Sequence, residues 1–375
     1  MKLLYLTTWN FSNENADGVC KKINSQIKVF CDKGITVDLI YINEDSIFYR
    51  KDGMIECIGS VGEVKKTPAY MKMFKSIENA QYDYVYNRFG MFDTFYYRVL
   101  RRLKKNGAKI IMELPTYPYD GERNPGFLNW LMFKWDALYV NKAPKVIDRI
   151  VTFFDTDEDI WGIKTYRIYN GIDVEGIRPV EPQEAYSDAI ECIAVAMFQN
   201  YHGYDRLIQG LADYYNNGGT RKVYLNLIGG GPEFNTYREL VVANKLEECI
   251  NMPGPMSGDK LDEIYDRCDL AISSLGMYRI GLMDKASSLK TREYMAKGLP
   301  IVAGNEMDIT AGEAFPYFKL VPNDDTPIDI SDIIKFYDEI SRVDKQEVIS
   351  YMRQYAERTC DWKSTLRPIL EYMNV

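Results

Sequence analysis

Lys290 and Glu293 are the side chains whose types and spacing point most directly to chemistry. They lie three residues apart within residues 287–304 (SSLKTREYMAKGLPIVAG), a pattern that predicts a helix ended by Gly298. Residues at this spacing face the same side of a helix. The helix start, near Ser288, presents unpaired N–H groups and a partial positive charge, which stabilise a phosphate group. The segment predicts a diphosphate site; the alternative is an exposed ion pair on a capped helix.

Two loops that follow predicted strands carry further candidates. Residues 227–233 (LIGGGPE) contain three glycines, which permit positive φ and a close approach of another group. Residues 113–122 (ELPTYPYDGE) contain two prolines, which stiffen the loop. For each loop there is an alternative without a ligand: a tight turn for the glycines, and a rigid loop whose tyrosines pack between the domains for the second loop.

Four segments, in their order and spacing, resemble the retaining glycosyltransferases of family four, which have the GT-B fold and include bacterial polysaccharide-type enzymes. The segments are RIYNGID at 167–173, HGYDRLIQGL at 202–211, LIGGGPE at 227–233 and the 287–304 segment. The resemblance covers nearly the whole chain, and the last segment is the most specific. It implies transfer of a sugar from a nucleoside-diphosphate sugar, such as a UDP- or GDP-sugar, to a glycan or polyprenyl-linked acceptor.

The resemblance also implies roles for individual residues. Glu293 would accept hydrogen bonds from the donor ribose, and Lys290 would meet a phosphate. The donor-binding set predicted in this way is Gly18, His202, Gly229, Gly230, Met256, Arg279, Asp284, Lys285, Ser288, Leu289, Lys290 and Glu293. By position, Thr116, Tyr117 and Tyr119 are predicted to contact the acceptor.

The implied mechanism retains the anomeric configuration by front-face attack, in which the leaving β-phosphate helps to take the acceptor proton. Catalysis would then lie in stabilising the departing diphosphate and in orienting both substrates. No enzymic base, metal or cofactor is expected. The predicted catalytic residues are Lys290, Glu293 and Glu113, the last only as a polar partner.

The sequence departs from the family pattern at two places. Where family members often carry an Arg and a Lys against the diphosphate, this chain has Met197 and His202. His202 could donate a hydrogen bond, while Arg279 and Lys290 could supply the charge. The family also often pairs two glutamates with seven residues between them; the first falls here on Lys285, beside Asp284, and either residue could take its place.

Two other functions remain open at this stage. A GT-B-fold sugar-nucleotide epimerase would need acid–base side chains, and the presence of a single histidine disfavours that function. A non-catalytic protein that binds a sugar nucleotide or a partner would tolerate Met197. An NAD-dependent enzyme would need GxGxxG in the first strand-to-helix loop, and that loop lacks it.

Two weaker signals concern metals and membranes. Asp155-Thr156-Asp157 has the form of a metal-binding Asp-x-Asp, but acidic residues also favour the start of a helix. The basic stretch 97–105 and the aromatic stretch 127–135 could together dock on an anionic membrane that carries a lipid-linked acceptor. The alternative is a solvated helix face and a core helix.

Apolar runs that alternate with amphipathic stretches predict two Rossmann-like, doubly wound parallel-sheet domains facing a central cleft. We expect an N-terminal acceptor-side domain at 1–172, a linker at 173–189 and a nucleotide-sugar domain at 190–360, with a C-terminal helix within 361–375 packing back on the first domain. Pro368 predicts a kink or a late start in that helix.

Composition limits the class of protein. The 375 residues exceed one ordinary core, and the net charge of −8 argues against a general nucleic-acid binder. Seven cysteines without a CxxC pair indicate free thiols in a reducing compartment. The opening apolar run is too short for a secretory signal, so we expect a cytoplasmic protein, free or at the inner face of the membrane.

Overall fold

The computed structural model describes residues 1–12, 18–60, 66–117, 127–153, 159–181, 185–283, 285–310 and 315–375. Backbone contacts divide the chain into two compact units. Unit 1 comprises Met1–Asn170 and Thr365–Val375, and unit 2 comprises Gly171–Ser364. Each unit is built around its own β-sheet.

Unit 1 contains an eight-stranded sheet in the order β4-β3-β2-β1-β5-β6-β7-β8. Strands β1, β2 and β5 to β8 pair in parallel. The central strands are buried and almost wholly apolar, as expected when helices cover both faces of a parallel sheet. The strands are β1 Lys2–Asn10, β2 Thr36–Asn43, β3 Ser46–Lys51, β4 Met54–Ser60, β5 Tyr84–Arg88, β6 Lys109–Leu114, β7 Arg149–Thr152 and β8 Thr165–Arg167.

Two helices of unit 1, Gly18–Asp32 and Thr94–Lys105, each bury an apolar face. In the helix Thr94–Lys105, Asp93 caps the start, because its carboxylate accepts the N–H groups of Phe95 and Tyr96 at 2.7 and 2.8 Å. The last helix begins at Arg367, so Pro368 lies in its first turn, where a proline is tolerated. The helices are α1 Gly18–Asp32, α2 Lys66–Ser76, α3 Thr94–Lys105, α4 Phe127–Val140 and, at the C-terminus, α12 Arg367–Met373.

The first sheet departs from the parallel arrangement at one edge. Strands β2, β3 and β4 form two successive antiparallel hairpins. Their turns contain Glu44 with φ 52° and the pair Asp52-Gly53 with φ 49° and 82°. Two residues of positive φ match the right-handed twist of a tight hairpin, and Asp-Gly is a strong signal for it. The sheet is therefore mixed.

Unit 2 contains a six-stranded, fully parallel sheet in the order β11-β10-β9-β12-β14-β16, with a separate two-stranded parallel pair, β13 and β15. The six strands are β9 Ile190–Met197, β10 Val223–Gly230, β11 Ile250–Gly254, β12 Leu270–Ile272, β14 Ile301–Ala303 and β16 Phe318–Leu320. The pair is β13 Lys285–Ala286 and β15 Glu306–Met307. The carboxyl ends of the six strands meet at one edge, where ligands bind in sheets of this type.

The helices of unit 2 connect these strands. The predicted helix after β9 runs from Tyr204 to Asn216, and the predicted helix after residue 287 begins at Leu289 and ends where Gly298 adopts φ 89°. The helices are α5 Tyr204–Asn216, α6 Phe234–Ala243, α7 Asp259–Tyr265, α8 Leu289–Lys297, α9 Ile330–Ile340, α10 Lys345–Thr359 and α11 Trp362–Thr365, which ends where the chain returns to unit 1.

Candidate functional site

Two loops of unit 2, each following a central strand, meet at the carboxyl edge of the sheet. The carbonyl of His202 accepts the N–H of Leu275 at 2.8 Å. Gly203, with φ 65°, lies so close to Gly276 that a Cβ on Gly203 would stand 2.6 Å from the Gly276 nitrogen. The loops after β9 and β12 are therefore packed backbone to backbone, which only glycine permits.

Helix α8 begins at the same edge. Ser288 precedes it in an extended conformation and makes no side-chain cap, while its carbonyl accepts the hydroxyl of Thr291 at 2.7 Å. The amides of the first turn of an α-helix have no partner within the helix. The start of α8 therefore presents hydrogen-bond donors to whatever lies beside it.

A cavity of about 280 Å³ opens beside the start of α8. Its walls combine apolar side chains with hydroxyl groups, one lysine, one histidine and one glutamate. It is lined by Tyr201, His202, Ser273, Ser274, Met277, Leu282, Ser287, Ser288, Lys290, Thr291, Ala303, Asn305, Glu306 and Met307. All of these residues belong to unit 2.

Lys290 supplies the cation of this cavity. Its Nζ donates to the hydroxyl of Tyr204 at 3.3 Å and lies 5.6 Å from the centre of that ring. Within the described part of the chain, Lys290 forms no ion pair with a carboxylate. Burial lowers the pKa of Lys290 to about 7. An ammonium group held without a counter-ion beside a helix start favours an anionic ligand.

His202 lines the same cavity as a neutral side chain. Its Nδ1 accepts the backbone N–H of Gln199 at 2.9 Å, so the proton of the neutral ring is on Nε2, which can donate to a ligand. Burial, and then the nearby charge of Lys290, lower the pKa of His202 to about 3. Its ring stacks on Tyr204 with an interplanar angle of 13°. His202 can therefore donate the hydrogen bond that the sequence predicts.

Glu293 lies one turn after Lys290 on α8 and is half-buried. Its charge contributes, after burial, to raising the pKa of Tyr265 and of Tyr294. Leu289, at the start of the helix, is exposed. The structure thus brings Ser288, Lys290 and His202 to the cavity wall, with Leu289 and Glu293 on the same helix. The contact of Glu293 with a ribose stays a prediction.

An ion pair that was not predicted from the sequence holds α8 in place. Arg292 is fully buried, and its guanidinium donates to both carboxylate oxygens of Asp308 at 2.8 and 2.7 Å. The same group donates to the carbonyl of Ser288 at 3.0 Å. Arg292 therefore ties the start of α8 to the chain just after β15. The available signal was that the apolar residues Met295 and Ala296 follow Arg292 by three and four positions in the predicted helix, and so share its face.

Arg279 does not line the cavity. Its guanidinium binds both carboxylate oxygens of Asp205 at 2.9 and 2.7 Å and the carbonyl of Asn200 at 2.9 Å. A bidentate pair of this kind satisfies most of the charge and fixes the side chain. In this conformation Lys290, and not Arg279, faces the cavity.

The glycine turn after β10 has a structural reason of its own. A Cβ on Gly229, whose φ is 142°, would stand 1.8 Å from the carbonyl oxygen of Ala196 on β9. Gly230 is less constrained, because its Cβ would meet only Pro255 at 3.4 Å. Met256 is half-buried in the loop after β11. The nucleotide contacts predicted for these residues stay predictions.

Neither Met197 nor Lys285 is among the described residues that line the cavity. Met197 is 71% exposed at the end of β9. Lys285 is exposed on β13, where it pairs in register with Glu306 on β15. Asp284 lies outside the described residues. The structure therefore places Lys285 beside a carboxylate that the sequence analysis did not single out.

Residues 180–318 match the family model described as glycosyl transferases group 1. Three solved structures are similar over almost their full length. Sucrose-phosphate synthase from Thermosynechococcus elongatus has 13% identity and a TM-score of 0.64, covering 100% of this chain and 98% of that one. A glycosyltransferase from Rickettsia africae has 14% identity and a TM-score of 0.65, covering 99% and 97%. Anabaena HepE in complex with UDP has 14% identity and a TM-score of 0.63, covering 100% of both chains.

The fold is that of the GT-B glycosyltransferases. The predicted fold class is thereby confirmed. The family match lies wholly within unit 2 and spans the strands from β9 to β15, and so includes every residue that lines the cavity. No curated protein sequence matches this chain.

In unit 1, Glu113 lies at the end of β6 and is the centre of a buried polar cluster. Its carboxylate accepts hydrogen bonds from Gln26 and Tyr86, both at 2.8 Å, and from Arg88, and lies 3.4 Å from Nζ of Lys22. Burial opposes ionisation of Glu113, but the two cations and the hydrogen bonds outweigh it and lower its pKa to about 2. Burial lowers the pKa of Lys22 to about 8. Glu113 therefore holds charges in place inside unit 1.

Replacing Glu113 by Gln is expected to reduce the free energy of unfolding at neutral pH by about 2–3 kcal/mol, since hydrogen bonds to charged groups contribute ~1.5–3 kcal/mol each. The folded-state pKa of about 2 lies below the ordinary value of 4.5. The carboxylate therefore stabilises the protein above about pH 4.5, and this contribution is lost as the pH falls towards 2. Urea unfolding at pH 7 and pH 3 should show a smaller difference between wild type and variant at pH 3; an equal difference would contradict the ionised state.

The acceptor-side candidates of unit 1 lie near the ends of strands. Thr116 and Tyr117 follow β6 and are exposed, and the Tyr117 ring lies 6.4 Å from Trp161. Gly18 is the exposed first residue of α1. Tyr119 and the Asp155-Thr156-Asp157 segment lie outside the described residues. The acceptor contacts stay predictions.

Two findings bear on membranes and metals. Trp135 and Leu138 of α4 are 54% and 63% exposed. In the ranges that the structure describes, no helix is both long and apolar enough to cross a bilayer. Across the same ranges, no group of three or more His, Cys, Asp or Glu side chains is arranged to hold a metal ion. Docking of α3 and α4 on a membrane surface stays a prediction.

Proposed function

We propose that this protein is a glycosyltransferase that binds a nucleoside-diphosphate sugar in the cavity beside α8 and transfers the sugar to a glycan or polyprenyl-linked acceptor with retention of configuration. The observation that carries the proposal is the position of Lys290, an ammonium group without an ion pair among the described residues, next to the first turn of α8. The GT-B fold and the family match over the same residues support it.

The cavity supplies the groups that departure of a diphosphate requires. Lys290 and the first-turn amides of α8 neutralise the charge that develops as the sugar–phosphate bond breaks. The Nε2–H of His202 donates a further hydrogen bond without changing charge, since its pKa of about 3 keeps the ring neutral at working pH. In the front-face mechanism that we propose, the β-phosphate takes the acceptor proton, so neither an enzymic base nor a metal is required.

A thermal-shift screen of nucleoside diphosphates tests the donor site directly. UDP is the first ligand to use, since it is present in the HepE structure, and GDP and ADP are the comparisons. A nucleotide at ~100 times its dissociation constant should stabilise the protein by about 2.7 kcal/mol. We expect one nucleotide to raise the melting temperature more than the others; no shift with any of them would contradict the proposal.

A radiolabelled donor then separates this function from its rivals. Transfer of label to a lipid-linked or glycan acceptor, with the anomeric configuration of the product determined by NMR, supports a retaining transferase. Conversion of the free donor to its epimer would instead support an epimerase. Nucleotide binding with neither reaction would support a non-catalytic binding protein.

A further inference from the structure

Glu306 is the one acidic side chain among the described residues that line the cavity. It is exposed and is the first residue of the short strand β15. Within the described ranges it forms no ion pair, either with its register partner Lys285 or with another cation. Its carboxylate is therefore available to a ligand in the cavity.

The backbone that carries Glu306 is anchored on both sides. The preceding residue, Asn305, donates its amide to the carbonyl of Leu282 at 3.0 Å. Two residues later, Asp308 is held by the buried guanidinium of Arg292. A side chain on such a frame keeps its position when a ligand binds, as a specificity residue must.

The charge pattern of the cavity decides which part of a ligand Glu306 can accept. A diphosphate is repelled by a carboxylate and attracted by Lys290 and the start of α8. The part of the ligand beside Glu306 must instead carry hydrogen-bond donors. In a nucleoside-diphosphate sugar, hydroxyls that can donate in this way flank the diphosphate on both sides, on the ribose and on the transferred sugar. Since the ribose is predicted to bind Glu293, the hydroxyls of the transferred sugar are left for Glu306.

We propose that Glu306 selects the transferred sugar: its carboxylate accepts hydrogen bonds from the hydroxyls of a neutral sugar and disfavours a sugar that itself carries a carboxylate. The inference rests on the proposed function and names the sugar class for the same site. Its geometric basis is a single anchored carboxylate in a cavity whose cation lies on a different element, α8.

Isothermal titration compares UDP, UDP-glucose and UDP-glucuronate as ligands of the wild type, Glu306→Gln and Glu306→Ala. If the thermal-shift screen selects another nucleotide, that nucleotide and its two sugar derivatives replace these ligands. The wild type should bind the neutral-sugar donor more tightly than the uronate donor. In Glu306→Gln this preference should shrink by about 10-fold or more, since the repulsion is removed. Affinity for UDP itself should change far less than the preference does.

Glu247→Gln is the matched control, because Glu247 is exposed and precedes the amino end of β11, at the opposite edge of the sheet. It should leave all three affinities unchanged, and melting temperatures should show that every variant is folded. If nucleotides bind but the preference is the same in wild type and both Glu306 variants, the inference is wrong and the proposed function stands. If the wild type binds none of the nucleotides, the proposed function fails and this inference fails with it.

Discussion

A Lys290→Ala, Glu293→Ala double variant is expected to lose sugar transfer by about 10²–10⁴-fold in kcat/KM. Lys290 is proposed to donate a charge-assisted hydrogen bond to the departing diphosphate, and Glu293 is predicted to accept hydrogen bonds from the ribose; such bonds contribute ~1.5–3 kcal/mol each. The measurement is initial-rate transfer with each single variant and the double variant. Undiminished transfer by the double variant would overturn the assignment of the donor site.

The control for this result is a Lys335→Ala, Glu339→Ala variant, which removes one exposed cation and one exposed carboxylate from α9. It should transfer at the wild-type rate. Lys290 also predicts a dependence on pH: its pKa of about 7 in the free protein means that donor affinity weakens as the pH rises above 7. A nucleotide sugar is the right probe, because its diphosphate does not titrate in this range, and the slope should vanish in Lys290→Ala.

Much of unit 2 could be predicted from the sequence because its signals are local. The apolar runs of β9 and β10, the amphipathic α5 and the glycine that ends α8 each lie within a few residues of the element they define. The positions of Lys290 and Ser288 at the cavity could be predicted for the same reason. A helix start positions its own first turn, so the sequence of α8 is enough to place them.

The contacts that escaped prediction join side chains that are not neighbours in the sequence. Arg292 pairs with Asp308, and Arg279 pairs with Asp205, which is 74 residues away in the chain. No periodic pattern in the sequence predicts such a pair. Glu306 was missed because its strand is two residues long and exists only through pairing with β13. The Asp52-Gly53 turn is a local signal for the hairpin of β3 and β4, so this hairpin could have been predicted from the sequence.

Replacing Arg292 by Met is expected to have the largest effect on stability. Met fills most of the space of the aliphatic stem but leaves Asp308, which is 9% exposed, without its bidentate partner. Removing one member of a buried ion pair costs about 3–5 kcal/mol, because the remaining charge is uncompensated. Urea unfolding should show this loss at pH 7, and a loss below about 1 kcal/mol would contradict the burial of the pair.

An Arg292→Met, Asp308→Leu double variant separates the charge from the packing. Two apolar side chains in place of a buried ion pair are often nearly neutral, so the double variant should recover most of the stability that the single variant loses. Transfer should nevertheless remain impaired. The guanidinium also binds the carbonyl of Ser288, and without that hydrogen bond the first turn of α8 is less firmly placed beside the cavity. Restored stability with full activity would show that Arg292 acts on the fold alone; restored stability with weakened donor binding would show that it positions the site.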